Sequence, residues 1–172
     1  MAFYLPANFS GFLRQGDVCH GPDLPTFDEE NPADTDTDGA TPETPTVMVC
    51  SHSCDIQPAK VRTTGIIVCP VKKITQRDGE STREFHGRIK TMAKIDIPVE
   101  IEGQKTFKFL SLFPIEIDSE LHIANFSNLT TMTPLADART LLLNRKILEM
   151  IDDERSLLKN KLAVFFGRDE EL

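Results

Sequence analysis

Gly65-Ile66-Ile67-Val68-Cys69-Pro70, running on into Val71, decides how this chain is read. It is a near-continuous apolar run, the pattern of a strand buried on both faces, and it predicts a strand over 64–71. Working back from it, 57–63 is polar, holds Pro58 and reads as a connection. Before that, the apolar, β-branched start of Thr46 to Cys54 predicts a second strand. Gly16-Asp17-Val18-Cys19 opens a first one. The arm before it places Phe9, Phe12 and Leu13 at i, i+3, i+4, as in a short helix or an irregular packed segment. Between the first two strands, residues 21–45 are rich in Pro, Asp, Glu and Thr and hold no Lys or Arg, which predicts a long acidic loop.

Working forward, 72–94 is the basic part of the chain, where Lys72, Lys73, Arg77, Arg83, Arg88, Lys90 and Lys94 outweigh Asp78, Glu80 and Glu84. Arg77-Asp78-Gly79-Glu80 reads as a turn and the stretch as a basic loop. Ile95, Ile97, Val99 and Ile101 alternate with polar residues. Gly103-Gln104 then turns the chain into a run over 106–113, so the two form a hairpin. Pro98 favours an edge position for its first member. Short strands follow at 115–117 and 121–126. Leu141 to Leu148 fits strand and helix equally. Asp152 reads as an N-cap, with Leu157, Leu158, Leu162, Phe165 and Phe166 as an apolar stripe and Gly167 as the stop. A closing helix over 152–167 results. The expectation is one mainly β domain over 1–172: a β-barrel carrying a C-terminal helix.

Composition narrows the function classes. The length of 172 residues suits a single core, and a net charge of −8 opposes bulk attraction to nucleic acid or anionic membrane. No apolar run nears the roughly 20 residues that span a bilayer, and the N-terminus has no secretory pattern. Four cysteines in that setting suggest reduced thiols and a cytoplasmic location.

Chemistry concentrates in Cys50-Ser51-His52-Ser53-Cys54-Asp55. On an extended strand Cys50, His52 and Cys54 would share one face. A metal would need lenders from elsewhere, such as Cys19-His20 or Cys69, and the spacing fits no zinc signature, so no metal or cofactor is assigned. A nucleophilic arrangement would use Cys54, with His52 or His20 as base and Asp55 or Asp17 to orient it. The structural alternative has Cys50 and Cys69 in the core and Asp55 closing a turn. Asp34-Thr35-Asp36-Thr37-Asp38-Gly39 copies the first half of a calcium loop, but Pro45 stands where its bidentate Glu belongs.

In order of elements the chain resembles the MazF/PemK family of toxin endoribonucleases. The matching pieces are Gly16-Asp17-Val18, Pro45-Thr46-Val47-Met48-Val49-Cys50-Ser51, Ile67-Val68-Cys69-Pro70-Val71 and Arg139-Thr140-Leu141 to Met150. The resemblance implies a small SH3-like barrel that binds, and by extension cleaves, RNA without a metal. Where that family carries an arginine before its second strand, this chain has Glu43-Thr44-Pro45. The SHxCD pattern over 51–55 is also similar to a signature of uncharacterised bacterial and phage-associated proteins. The residues expected to act are His52, Cys54 and Asp55 in cleavage. Lys72, Lys73, Arg77, Arg83 and Arg88 are expected on RNA, with Arg77 or Arg88 stabilising the phosphorane. Phe85 and His86 are a candidate stacking pair. Two other readings stand beside this one. The first is a non-enzymatic interaction or accessory module of a bacterial or phage defence or mobile-element system, with a protein partner or a second copy as its ligand. The other is a small zinc-binding protein.

Overall fold

A computed structural model of the protein describes residues 4–5, 10–22, 45–56, 65–94, 99–101, 104–106 and 109–167. The acidic stretch over 23–44, the calcium-loop half-motif, the connection over 57–63 and Pro98 lie outside the described residues, as does the side chain of Cys54.

In chain order the elements are β1 (Tyr4–Leu5), β2 (Val18–His20), β3 (Thr46–Val49), α1 (Ser53–Ile56), β4 (Ile66–Lys73), α2 (Thr82–Ala93), β5 (Val99–Ile101), β6 (Gln104–Thr106), β7 (Leu112–Ile117), β8 (Glu120–Asn125), β9 (Thr130–Met132), α3 (Leu135–Asn144), β10 (Lys146–Met150) and α4 (Asp152–Gly167). The main sheet runs β1-β10-β2-β3-β4-β8-β7, with β9 added to the start of β4. Its pairs are all antiparallel, and it curls into a half-barrel with helices around it. The fold is therefore mainly β, as the sequence predicts. No helix among the described residues is long and apolar enough to cross a membrane.

β4 is the hub of the sheet. Val49 pairs with Val68 and Thr46 with Val71 on one side, while Val71 to Lys73 pair with β8 and Ile66 to Val68 with β9 on the other. Both faces are covered, which is why its sequence does not alternate. One face joins Val18, Met48, Cys69, Phe113, Phe126, Leu148 and Leu158 in a core; the other joins Leu13, Val47, Val68, Ala138 and Leu142 in a second. Cys50 and Cys69 are both buried in the first of these, as the structural reading of these thiols expects.

Several boundaries differ from expectation. β3 ends at Val49 rather than continuing to Cys54, because the Cys50 and Ser51 N–H groups both turn onto the Ile67 carbonyl (2.8 and 3.2 Å). The basic stretch is not a loop: its second half is the twelve-residue helix α2. The hairpin is real but short, β5 with β6, and the apolar run after it belongs to β7. The ambiguous leucines split, so Leu141 to Leu143 lie in α3 and Ile147 and Leu148 in β10. The final helix begins at Asp152 as predicted, with Leu158 and Leu162 buried and Phe166 left exposed.

Candidate functional site

The Cys50–Asp55 stretch forms a turn followed by α1. Three anchors hold it. Ser51 is buried, and its Oγ accepts from the Ile67 N–H at 2.7 Å. Gln15 Nε2 donates to the Cys50 carbonyl at 2.7 Å, and the Gln15 N–H to Ser53 Oγ at 3.1 Å. The Asp55 N–H closes the turn on the His52 carbonyl at 2.9 Å. With the strand ended, Cys50, His52 and Cys54 no longer share an extended face. Cys50 points into the core, whereas His52 and Asp55 are exposed, three residues apart on a helical turn. No group of three or more His, Cys, Asp or Glu able to hold a metal occurs among the described residues. Burial raises the thiols of Cys19 and Cys69 well above their ordinary range, so both are poor nucleophiles and poor ligands.

Lys72 and Lys73 do not adjoin this turn along β4. The turn rests on Ile67 near the start of β4, while Lys72 and Lys73 are its last two residues, about 17 Å further along at ~3.3 Å per residue. Lys73 pairs with Glu120 at 2.6 Å on the surface, and Lys72 and Arg77 are exposed. Arg88 is occupied: its Nε and Nη2 each meet the Glu80 carboxylate at 2.7 Å, and its guanidinium lies 5.2 Å from the Phe85 ring centre. The Arg88 hydrogen bonds hold Glu80 down at about 2, so the pair is charged throughout the neutral range.

α2 organises the remaining charge. Ser81 caps it and Glu84 returns the bond, a reciprocal capping box that satisfies two N–H groups at its start. Phe85, Ile89 and Met92, at i, i+4 and i+7, turn inward, and the helix packs on β7. The outer face carries Arg83, Gly87 and Lys90 at i, i+4 and i+7, with His86 beside them and Lys94 at the C-cap, all exposed. The one acid within the helix, Glu84, is drawn to its cap, and Glu80 is drawn to Arg88. What is left facing water is a basic stripe about 16 Å long at 1.5 Å per residue. At its C-terminal end, the buried Lys161 of α4 donates Nζ to the Met92 carbonyl, placing a positive charge where the helix dipole is negative.

Sequence reasoning missed a second cluster. Lys146 Nζ, wholly buried, contacts Glu149 Oε2 at 2.7 Å, the Phe12 carbonyl at 2.9 Å, Asp17 Oδ2 at 3.2 Å and the Ser10 carbonyl at 3.3 Å. Arg155 adds a bond to the Gln15 carbonyl at 2.9 Å, one to the Met150 carbonyl, and an approach of 3.8 Å to Asp17 Oδ1. Burial pushes the Asp17 carboxyl up while Lys146 and the Arg14 N–H pull it back. Glu149 is raised by burial but held lower on balance by Lys146 and Ser10. This network fastens the N-terminal arm and β2 to β10 and α4, and through Gln15 it reaches the 50–55 turn. Of its members the sequence singles out Asp17, as a possible orienting carboxylate for a thiol; the further signal is Lys146, in phase with the inward-facing Leu148 and Met150.

A separate open cleft of about 550 Å³ lies beside β9 and α3, with Pro22, Thr131, Met132, Thr133, Asp137 and Leu141 among its lining. None of the residues expected from sequence to cleave or bind RNA lines it. Compared with known proteins, the chain matches no family model, no curated protein and no solved structure.

Proposed function

We propose that this chain is a nucleic-acid-binding protein that holds the phosphate backbone of single-stranded RNA along the outer face of α2. The observation that carries the reading is the separation of charge on and around that helix. Arg83, Lys90 and Lys94 face solvent on one stripe, while Glu80 and Glu84 are each committed to a partner at its N-terminal end. In a protein of net charge −8, a face of exposed cations with no acid facing it is a local surface complementary to a polyanion. Lys72 and Arg77, exposed on the segment leading into the helix, extend the positive surface. His86, on the edge of the stripe, is the ring that can stack on a base, since Phe85 is half-buried beneath Arg88.

The same geometry supports binding more than cleavage. Cleavage by a ribose 2′-OH needs an acid, a base and a cation converging on one phosphate. His52 and Asp55 supply exposed groups of the right kind, but the turn that carries them lies toward the far end of β4 from Lys72 and Lys73, and Arg88 is spent on Glu80. The test is fluorescence anisotropy with a labelled mixed-sequence RNA, comparing wild type with Arg83→Glu/Lys90→Glu/Lys94→Glu. Saturable binding by the wild type and its loss in the variant is the expected result; equal binding by both excludes α2 as the interface. A mixed RNA pool left intact by the wild type, and degraded no faster than by His52→Ala, removes the nuclease activity.

A further inference from the structure

Gly87 stands in the middle of the basic face of α2, and nothing in the described structure requires a glycine there. Its backbone is ordinary helix rather than the left-handed region, and a Cβ built on it would meet no atom of the described residues within 4 Å. Inside a helix glycine is the least favourable residue after proline, because it leaves the unfolded chain most freedom and packs nothing. The rest of the helix is strongly specified, with a capping box at one end, an Arg88–Glu80 pair on its flank and Lys161 on its last turn. Packing within the described residues does not account for a destabilising residue at this position.

The neighbours point to what does. Arg83 lies one turn before Gly87 and Lys90 one turn after it, with His86 alongside, and all three are exposed. A glycine flanked by cations leaves bare helix backbone between two charged arms. Glycine is used where a ligand must come close to the backbone, and a phosphodiester strand held by Arg83 and Lys90 would pass over this point. A crossing protein helix would also accept a small residue, but it would not call for cations on every side of it. Resting on the RNA-binding reading above, we propose that Gly87 is the point of closest approach of the bound nucleic-acid backbone, and that its missing side chain sets the depth at which the strand lies.

The experiment measures stability and binding together on the full chain for wild type, Gly87→Ala and Gly87→Leu. The RNA is a labelled 20-mer, with a duplex DNA of the same sequence as a second probe. Because alanine and leucine are better helix formers, both variants are expected to melt at or above the wild-type temperature. Their RNA affinity is expected to fall, by about tenfold for alanine and more for leucine, the cost of a strand displaced by added bulk. A structural role for Gly87 could not separate the two readouts in this way. Wild-type affinity in both variants, with wild-type binding intact, overturns the Gly87 contact and leaves the α2 interface standing. No RNA or DNA binding by the wild type overturns both. A preference for duplex DNA that carries the same Gly87 penalty supports the contact and identifies the strand as part of a duplex.

Discussion

Lys146→Met tests how the fold is closed. The side chain it replaces is 1% exposed and contacts two carboxylates and two carbonyls. Methionine fills nearly the same volume, so the cavity contribution is small and the loss is electrostatic. Asp17 would stay fully buried with only the Arg14 N–H at 2.9 Å and Arg155 at 3.8 Å. Removing one partner of a buried ion pair costs about 3–5 kcal/mol, because the remaining charge has been taken out of water without compensation. Against total stabilities of about 5–15 kcal/mol for native proteins, such a loss brings the variant near its unfolding threshold at neutral pH. The pH dependence follows from Asp17, whose carboxyl burial already raises. Without Lys146 it rises further, a proton neutralises it, and the destabilisation is smaller at pH 5 than at pH 7. Urea unfolding at both pH values gives the numbers. Adding Asp17→Asn should restore part of the loss, with a coupling of about 2 kcal/mol in the double-mutant cycle. A cost below about 1 kcal/mol for Lys146→Met, with strictly additive single changes, would refute the idea that this network holds the arm to β10 and α4.

Two further changes probe the site itself. Ser51→Ala removes the acceptor for the Ile67 N–H and leaves a part-buried donor unsatisfied, so denaturant unfolding should show a loss of about 1–3 kcal/mol; no loss would mean that the Gln15 and backbone bonds hold the turn without Ser51. The Glu80–Arg88 pair should hold the start of α2 against acid. Glu80 is depressed in the folded chain to about 2, so its stabilising contribution is present above the ordinary carboxylate value of 4.5 and is lost as pH falls from there through about 2. Protection factors at the first turn of α2, measured against the intrinsic exchange rate at each pH, should fall over that window in the wild type and be low already at pH 6 in Glu80→Gln.

How much of this was legible in sequence depended on which force set each element. The strands β3 and β4 were readable because burial on both faces writes a continuous apolar run, and the C-terminal helix because Asp152 and Gly167 mark its ends. α2 carried its signals too: Ser81 and Glu84 spaced as a capping box, and Phe85, Ile89 and Met92 one turn apart. The density of charge over 72–94 masks them, because a run of that kind has the composition of a solvated loop. Leu141 to Leu148 had no period to read, and the chain divides it by tertiary packing, the first part against β2 and β4 and the rest in the sheet. The end of β3 was out of reach, since it depends on the Ile67 carbonyl and on Gln15, a residue 35 positions from Cys50 in the chain. The buried Lys146 network was hidden for the same reason: a lysine in a strand reads as exposed until Asp17 and the Ser10 and Phe12 carbonyls, all distant in sequence, are placed around it.

The salt dependence of RNA binding tests the central claim most directly. If Arg83, Lys90 and Lys94 each neutralise one phosphate, the plot of log affinity against log salt for a single strand should be shallower by about 2 in the triple glutamate variant than in the wild type, at about 0.7 per contact. Affinity should fall with it, while the far-UV spectrum and melting temperature stay close to the wild type, because all three side chains are exposed. A triple variant that keeps both the wild-type slope and the wild-type affinity would contradict the account.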